Sequence, residues 1–365
     1  MKMAVFIHSL GGGGAERVAS NMAGYWSAKG EDVSVITVAS AEGNRYQLSP
    51  GVDLIALSVH GESSGIISGL LGNITRVRAL RACIKKLDAD VVISMMPHAN
   101  VINGLACLGL RTKSIGSERN YPGIDYTSNL WIKLRRFCYR YLDAVVVQTE
   151  VGAQWIRRHT NAKFVVSIPN SVDVPLPDLP PVVSVPDGQK MVIGVGRLTA
   201  QKQFHHLIIA FSEICGNNPE WNLMIIGEGE LKAELQQLID GLELSNRVKL
   251  VGRVGNISDW YNAADIFAMT SQTEGFPNAL VEAMAHGVPV LSYDCLTGPA
   301  EILDGENGLL IELDNIGELR NKLEALILCP EKRADMGARA LEIKNTLTTD
   351  KIMLSWSKLV KNVLT

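Results

Sequence analysis

Residues 172–190, VDVPLPDLPPVVSVPDGQK, set the organisation of this chain. Pro175, Pro177, Pro180, Pro181 and Pro186, followed by Asp187-Gly188, cannot continue a helix or occupy a central strand, so the stretch reads as a linker. Before it, Val/Ile-rich runs at 3–8, 32–38, 53–58, 90–95, 113–116, 144–148 and 164–168 alternate with helical stretches. After it, runs at 191–195, 222–226, 248–251, 266–269, 289–293 and 309–312 do the same, with helices expected over 203–215 and 231–242. Such near-continuous apolar runs fit strands of a parallel sheet buried on both faces. The expected architecture is α/β, with two facing doubly wound, Rossmann-like domains and a cleft between them. The boundaries are residues 1–170, a linker at 171–188, residues 189–349, and a closing helix at 350–365. That helix carries Trp356 among apolar residues at helical spacing and is expected to pack back on the first domain.

Composition narrows the function. The 365 residues carry a formal charge of −3, which argues against a dedicated nucleic-acid binder. The charge is uneven, with +7 on residues 1–170 and −10 on residues 171–365. No run approaches the roughly 18 apolar residues that span a bilayer, and the chain opens on a strand-like run instead of a cleavable signal, so a cytoplasmic location is expected. Cys83, Cys107, Cys138, Cys215, Cys295 and Cys329 are scattered, suggesting neither zinc nor a disulfide framework, and read as small core residues.

In doubly wound domains the chemistry lies beyond the carboxyl ends of the strands. The first such loop, HSLGGGGAER (8–17), opens a helix, and Gly13, Gly14 and Glu16 are candidates to meet a ligand. A dinucleotide fingerprint would require glycine where Glu16 stands, and a tight turn without a ligand is the plain alternative. The second half is more informative. Gly196 and Arg197 follow a strand, with Lys202 five residues on; a guanidinium fork and a point charge suit a diphosphate. Residues 274–282, EGFPNALVE, place Glu274 in a loop and Glu282 inside a helix, with Pro277 suited to its first turn. The helix start between them offers N–H donors to phosphate or sugar oxygens, and Glu282 can accept from a ribose diol. Gly227, in IGEG (226–229), ends another strand on the same edge. These features together fit a nucleotide diphosphate sugar.

The chain resembles the retaining glycosyltransferases of family 4, which have the GT-B fold. The resemblance runs through GGGGAER, VGRLTAQK, GEGE, the VGRV and WYNAADIFAMTSQTEGFPNALVEAMAHGVPVLSYD segments, TGPAEIL and ENGLLI, and so spans nearly the whole sequence. It implies that Arg197 and Lys202 neutralise the donor diphosphate, that Glu282 binds the ribose, and that Glu274 contacts the transferred sugar. Backbone N–H groups around Gly275, Phe276, Pro277, Asn278 and Ala279 are implied to hold the distal phosphate or sugar hydroxyls, with Arg253 and Asn256 near the nucleobase. It further implies same-face attack, in which the departing phosphate oxygen takes the acceptor proton. No protein nucleophile and no active-site metal are expected, the nucleotide sugar being a co-substrate and not a cofactor.

Where many relatives carry a histidine, this chain has Arg119, an electrostatic group and not a base, with Glu118 as its expected partner. His98 could supply an imidazole instead. Asp88-Ala89-Asp90 spells a metal–nucleotide tripeptide of another transferase class, but it precedes a strand and reads as a turn. Arg76, Arg78, Arg81, Lys85 and Lys86, and again Lys133, Arg135, Arg136 and Arg140 among Trp131, Ile132, Leu134 and Phe137, could form amphipathic helices docking on anionic lipid. The expected function is transfer of a sugar, UDP-linked, to a lipid-linked (polyprenyl diphosphate) glycan in bacterial envelope polysaccharide synthesis at the inner leaflet of the plasma membrane. A GT-B-shaped UDP-sugar 2-epimerase and a non-catalytic nucleotide-sugar binder are the alternatives.

Overall fold

A computed structural model describes residues 1–11, 14–42, 44, 46–59, 66–124 and 129–365. The chain forms two compact units, Met1–Asn170 with Asp350–Thr365, and Ser171–Thr349. In the first, strands β1 (Lys2–Ile7), β2 (Asp32–Thr37), β3 (Val52–Ala56), β4 (Val91–Met95), β5 (Lys113–Ser117), β6 (Ala144–Val147) and β7 (Val165–Ser167) make one sheet in the order β3-β2-β1-β4-β5-β6-β7. In the second, β8 (Lys190–Val195), β9 (Trp221–Ile226), β10 (Val248–Gly252), β11 (Ile266–Met269), β12 (Val290–Tyr293) and β13 (Leu309–Ile311) run β10-β9-β8-β11-β12-β13. All recorded pairings are parallel.

The apolar strands explain themselves by what covers them. In β8, Val192 faces the cluster of Leu207, Phe211 and Leu323, while Met191 and Ile193 face Trp260, Leu280 and Met284 on the other side. Successive side chains point to opposite faces, so a strand covered twice must be apolar throughout. Each sheet reverses its order once, between β1 and β4 and between β8 and β11. Loops leaving these neighbouring strands diverge and leave a crevice.

Local chemistry sets where elements end. The helix expected over 203–215 is Phe204–Ser212, because Gln203 takes a left-handed conformation (φ 46°) and the chain tightens into a 3-10 turn at Cys215–Asn217. The proline-rich stretch belongs with the second unit and lies along it as a strap. Leu176 N–H donates to Ser258 Oγ (2.8 Å), Leu179 N–H to Gly255 O (3.1 Å) and Gly255 N–H to Pro181 O (2.6 Å). The Asn256 amide accepts from Val183 N–H (2.9 Å) and donates to Val183 O (3.0 Å). Side chains thus satisfy backbone groups that the prolines keep out of a sheet.

The closing helix, Thr349–Leu364, clusters with the first unit, where Trp26 Nε1–H donates to Ser357 Oγ (3.1 Å). Among the described residues, no helix is long and apolar enough to cross a membrane.

Candidate active site

The second sheet reverses between β8 and β11, and the loops leaving these two strands carry the candidate residues. After β8, the chain is pinned against the loop after β9: Gly196 N–H donates to Ile226 O (3.0 Å) and Leu198 N–H to Glu228 O (3.0 Å). The approach is so close that a Cβ atom at Gly229 would lie 2.2 Å from Leu198 O. At Gly196 a Cβ would stand 3.0 Å from Lys202 Cε, so the bare glycine lets the lysine stem fold across the loop.

Lys202 ends a 3-10 turn, Ala200–Lys202, that is held from the β11 side. Thr270 Oγ1–H donates to Lys202 O (2.8 Å), Gln272 N–H to Gln201 O (2.8 Å) and Gln201 Nε2–H to Thr273 O (2.5 Å). This clasp aims the Lys202 ammonium at Glu274, with Nζ 2.5 Å from Oε1. The Glu274 main-chain oxygen accepts from the buried Thr297 hydroxyl. Cys295, close to both charges, has its thiol pushed up to about 12 by burial and by Glu274. Arg197 differs from Lys202: it is exposed, and no ion pair reaches its guanidinium among the described residues.

Beyond Glu274 the chain turns through Gly275 and Phe276 into the helix Asn278–Ala285, with Pro277 as its N-cap and so one position ahead of the first turn. Pro277 is wedged under Gly298, where a Cβ would lie 2.6 Å from Pro277 Cδ. The helix start faces the same strand edge as Lys202, presenting N–H groups of a first turn. Glu282 is buried, and its Oε2 accepts from Tyr261 Oη (3.2 Å). His286 closes the helix: its Nδ1 lies 2.7 Å from Glu282 O and its Nε2 3.0 Å from Ser258 Oγ. Since a carbonyl only accepts, Nδ1 carries the proton and Nε2 accepts from Ser258. Burial lowers the His286 pKa and keeps the ring neutral.

Of the remaining residues in this unit, Gly227 lies beneath Gly196, and Arg253 is exposed just past β10. Asn256, expected near a nucleobase, is instead buried, with its amide engaged by Val183 and by Asp259 Oδ2 (2.9 Å) as a strap anchor.

In the first unit, Gly13 lies outside the described residues, Gly14 begins the helix Gly14–Ala28, and Glu16 is half-buried in its first turn. His98 stands at the start of the helix Pro97–Cys107, after Met96, whose φ is positive (80°). Its ring meets Trp131 edge-on (4.1 Å), and partial burial, aided by His8 and Arg76, lowers its pKa. Arg119, beyond β5, is buried and donates to Asn170 Oδ1 and Ser117 Oγ; burial brings its pKa down to about 10, so it stays a cation at neutral pH. Glu118 does not fill the expected role of its partner, for its Oε1 accepts from Tyr139 Oη and lies 4.0 Å from the buried Arg135 Nη1. Both residues lie past the end of β5, where each turns to different partners. Asp90 of the Asp-Ala-Asp turn accepts from Lys2 N–H (2.7 Å), holding an edge of β1.

The family model for glycosyl transferases group 1 matches residues 177–342, and that for glycosyltransferase family 4 matches residues 12–175. The chain belongs to glycosyltransferase family 4. Full-length relatives agree with this. An uncharacterized glycosyltransferase of Haemophilus influenzae is 29% identical over 97% of this chain and 98% of its own. A Campylobacter jejuni enzyme, the α-1,4-N-acetyl-D-galactosaminyltransferase acting on GalNAc-α-(1→4)-GalNAc-α-(1→3)-diNAcBac-PP-undecaprenol, is 26% identical over 100% and 99%. The structure of HepE from Anabaena in complex with UDP superposes with a TM-score of 0.80 at 20% identity, covering 99% of this chain and 100% of that one, and has the same two-domain GT-B fold.

The supporting residues of this glycosyltransferase were not legible in its sequence. Tyr261 and Ser258 come from the helix Ile257–Ala263 and Thr297 from the loop after β12, and only the fold brings them against Glu282, its helix end at His286, and Glu274. Three of them lie in segments that the resemblance singles out, Tyr261 and His286 in WYNAADIFAMTSQTEGFPNALVEAMAHGVPVLSYD and Thr297 in TGPAEIL, but nothing there shows what they meet.

Proposed function

We propose that this glycosyltransferase moves a hexosyl or N-acetylhexosaminyl group from a UDP-sugar to a lipid-linked oligosaccharide on polyprenyl diphosphate, with retention at the anomeric carbon. The observation that carries the reading is the convergence, at the reversal point of the second sheet, of Lys202, Glu274 and the helix start after Pro277. Two cations and a helix N-terminus suit a leaving diphosphate, whose growing charge is the main thing the site must stabilise. In the proposed step the bond from the sugar C1 to the β-phosphate oxygen breaks, C1 bonds to the acceptor oxygen on the same face, and the acceptor proton passes to that phosphate oxygen. Arg197 and Lys202 neutralise the phosphates without an active-site metal, Glu282 accepts from the ribose, and Glu274 faces the sugar. Arg253 lies toward the base, and Gly14, Glu16, His98 and Arg119 belong to the first unit, which takes the acceptor.

The Campylobacter relative acts on an undecaprenol-linked glycan and HepE binds UDP, which supports both substrate classes and a place in envelope polysaccharide assembly. Such an acceptor lies in a membrane, and the first unit has one face suited to anionic lipid. On the helix Asn129–Cys138 and just beyond it, Leu130 (52% exposed) and Phe137 (49% exposed) project beside exposed Lys133, Arg136 and Arg140. We assign peripheral docking on the inner leaflet to this face. Arg135 is excluded from it by burial, and Arg81 donates to Ala106 O (2.7 Å) and Leu108 O (2.7 Å), closing a helix end.

The test is incubation with a panel of UDP- and GDP-sugars and a membrane lipid extract, followed by mass spectrometry. Extension of a polyprenyl-linked glycan by one residue, with release of UDP, is expected. An altered nucleotide sugar formed without any acceptor would establish the 2-epimerase reading instead.

A further inference from the structure

Lys202 has one ammonium group, and Glu274 already holds it. The lysine side chain is 19% exposed and the glutamate 9%, so little water screens the pair. The backbone clasp from Thr270, Gln272 and Gln201 fixes both loops, so the two side chains meet without a loop movement. Arg197, on the same loop, is exposed and has no such partner among the described residues. The two cations are therefore unequal: Arg197 is open to an incoming anion, whereas an anion that reaches Lys202 does so beside a carboxylate.

That carboxylate repels the anion in proportion to the charge on its terminal phosphate. In a nucleotide sugar the terminal phosphate is esterified and carries one negative charge. In a free nucleoside diphosphate it is a monoester with a second ionisation near pH 6, and it carries about two charges at pH 8. We propose that Glu274 makes the site discriminate against the free nucleoside diphosphate in favour of the nucleotide sugar, so that the product leaves after transfer and Lys202 returns to Glu274. The role is separate from contact with the transferred sugar, because it acts on a ligand that has no sugar. It rests on the proposed reading of this site as the nucleotide-sugar pocket.

Calorimetric titration at pH 8 with UDP and with the β-methyl ester of UDP separates the two charge states without a sugar. Glu274→Gln keeps the shape and removes the charge. Binding is expected to tighten about tenfold for UDP and about threefold for the ester, since the repelled charge differs twofold. Glu274→Ala, checked for a native thermal melt, is expected to show the same order and guards against a folding defect in the first variant. An equal gain for both ligands, or UDP binding that is unchanged or weaker in a folded variant, would overturn the proposal while leaving the site reading intact. If the wild-type protein binds neither ligand, both fall.

Discussion

Gly227 lies so close beneath Gly196 that a Cβ atom at position 227 would stand 1.8 Å from the Gly196 carbonyl oxygen. Its φ of 144° is also one that L side chains rarely adopt. Two backbones therefore touch at the mouth of β8, and that contact sets the height of the loop bearing Arg197 and Lys202. Neither partner is the end of a flexible side chain, so no rotamer change relieves a substitution. Gly227→Ala is expected to cost roughly 3 kcal/mol or more of stability, measured by urea unfolding. A cost below about 1 kcal/mol would show that the two loops can separate.

Arg197 is exposed and makes no ion pair among the described residues, so the fold does not depend on it. Arg197→Ala should change unfolding free energy by less than about 0.5 kcal/mol. In the same protein, UDP affinity should fall about tenfold or more, in line with a lost charge-assisted hydrogen bond. Titration with UDP alongside a thermal melt reads both quantities, and a large loss of stability with intact UDP binding would contradict the assignment.

His286 ties the helix of Glu282 to Ser258 and, through it, to Leu176 of the strap. Burial lowers its pKa from 6.5. A histidine held neutral contributes stability that is fully present above its unfolded pKa. That contribution is lost as pH falls through about 6.5 toward the lower folded value. The melting temperature should therefore drop between pH 7.5 and 5.5, and His286→Gln should flatten this part of the profile. His206, its pKa lowered by burial with Nδ1 3.1 Å from Tyr293 Oη, is expected to add a similar slope. An unaltered slope in His286→Gln would place the pH sensitivity elsewhere.

Lys133, Arg136 and Phe137 are exposed together on one helix. Co-sedimentation with vesicles containing phosphatidylglycerol should weaken with added salt. It should fall about tenfold or more in the Lys133→Glu/Arg136→Glu double variant, because each basic residue near an anionic surface contributes about 1 kcal/mol. Binding that is equal for wild type and variant would remove this face from consideration.

Arg135 belongs to the same sequence cluster and does different work. It is buried, donates to Pro122 O (2.8 Å), lies 4.9 Å over the Trp155 ring and faces Glu118. Arg135→Ala removes the buried guanidinium that faces Glu118 and bonds Pro122 O, and should lower stability by about 3 kcal/mol in chemical denaturation. Its effect on vesicle binding should be small.

Sequence alone determined the two parallel sheets, because a strand covered on both faces must be apolar along its length. It also marked the carboxyl-end loops with Lys202 and Glu274 and the helix with Glu282, because glycine, proline and charge at fixed spacing leave few local structures open. Tertiary structure decided the partnerships. It turned Glu118 toward Arg135 and Tyr139, made Asn256 an anchor of the proline-rich strap, withdrew Arg135 from the surface, tied Arg81 to a helix end, and joined Lys202 to Glu274 while leaving Arg197 free of an ion pair among the described residues. Spacing along a chain fixes which face of an element a side chain occupies. What it meets there depends on residues distant in sequence, which only the packed fold brings within hydrogen-bonding distance.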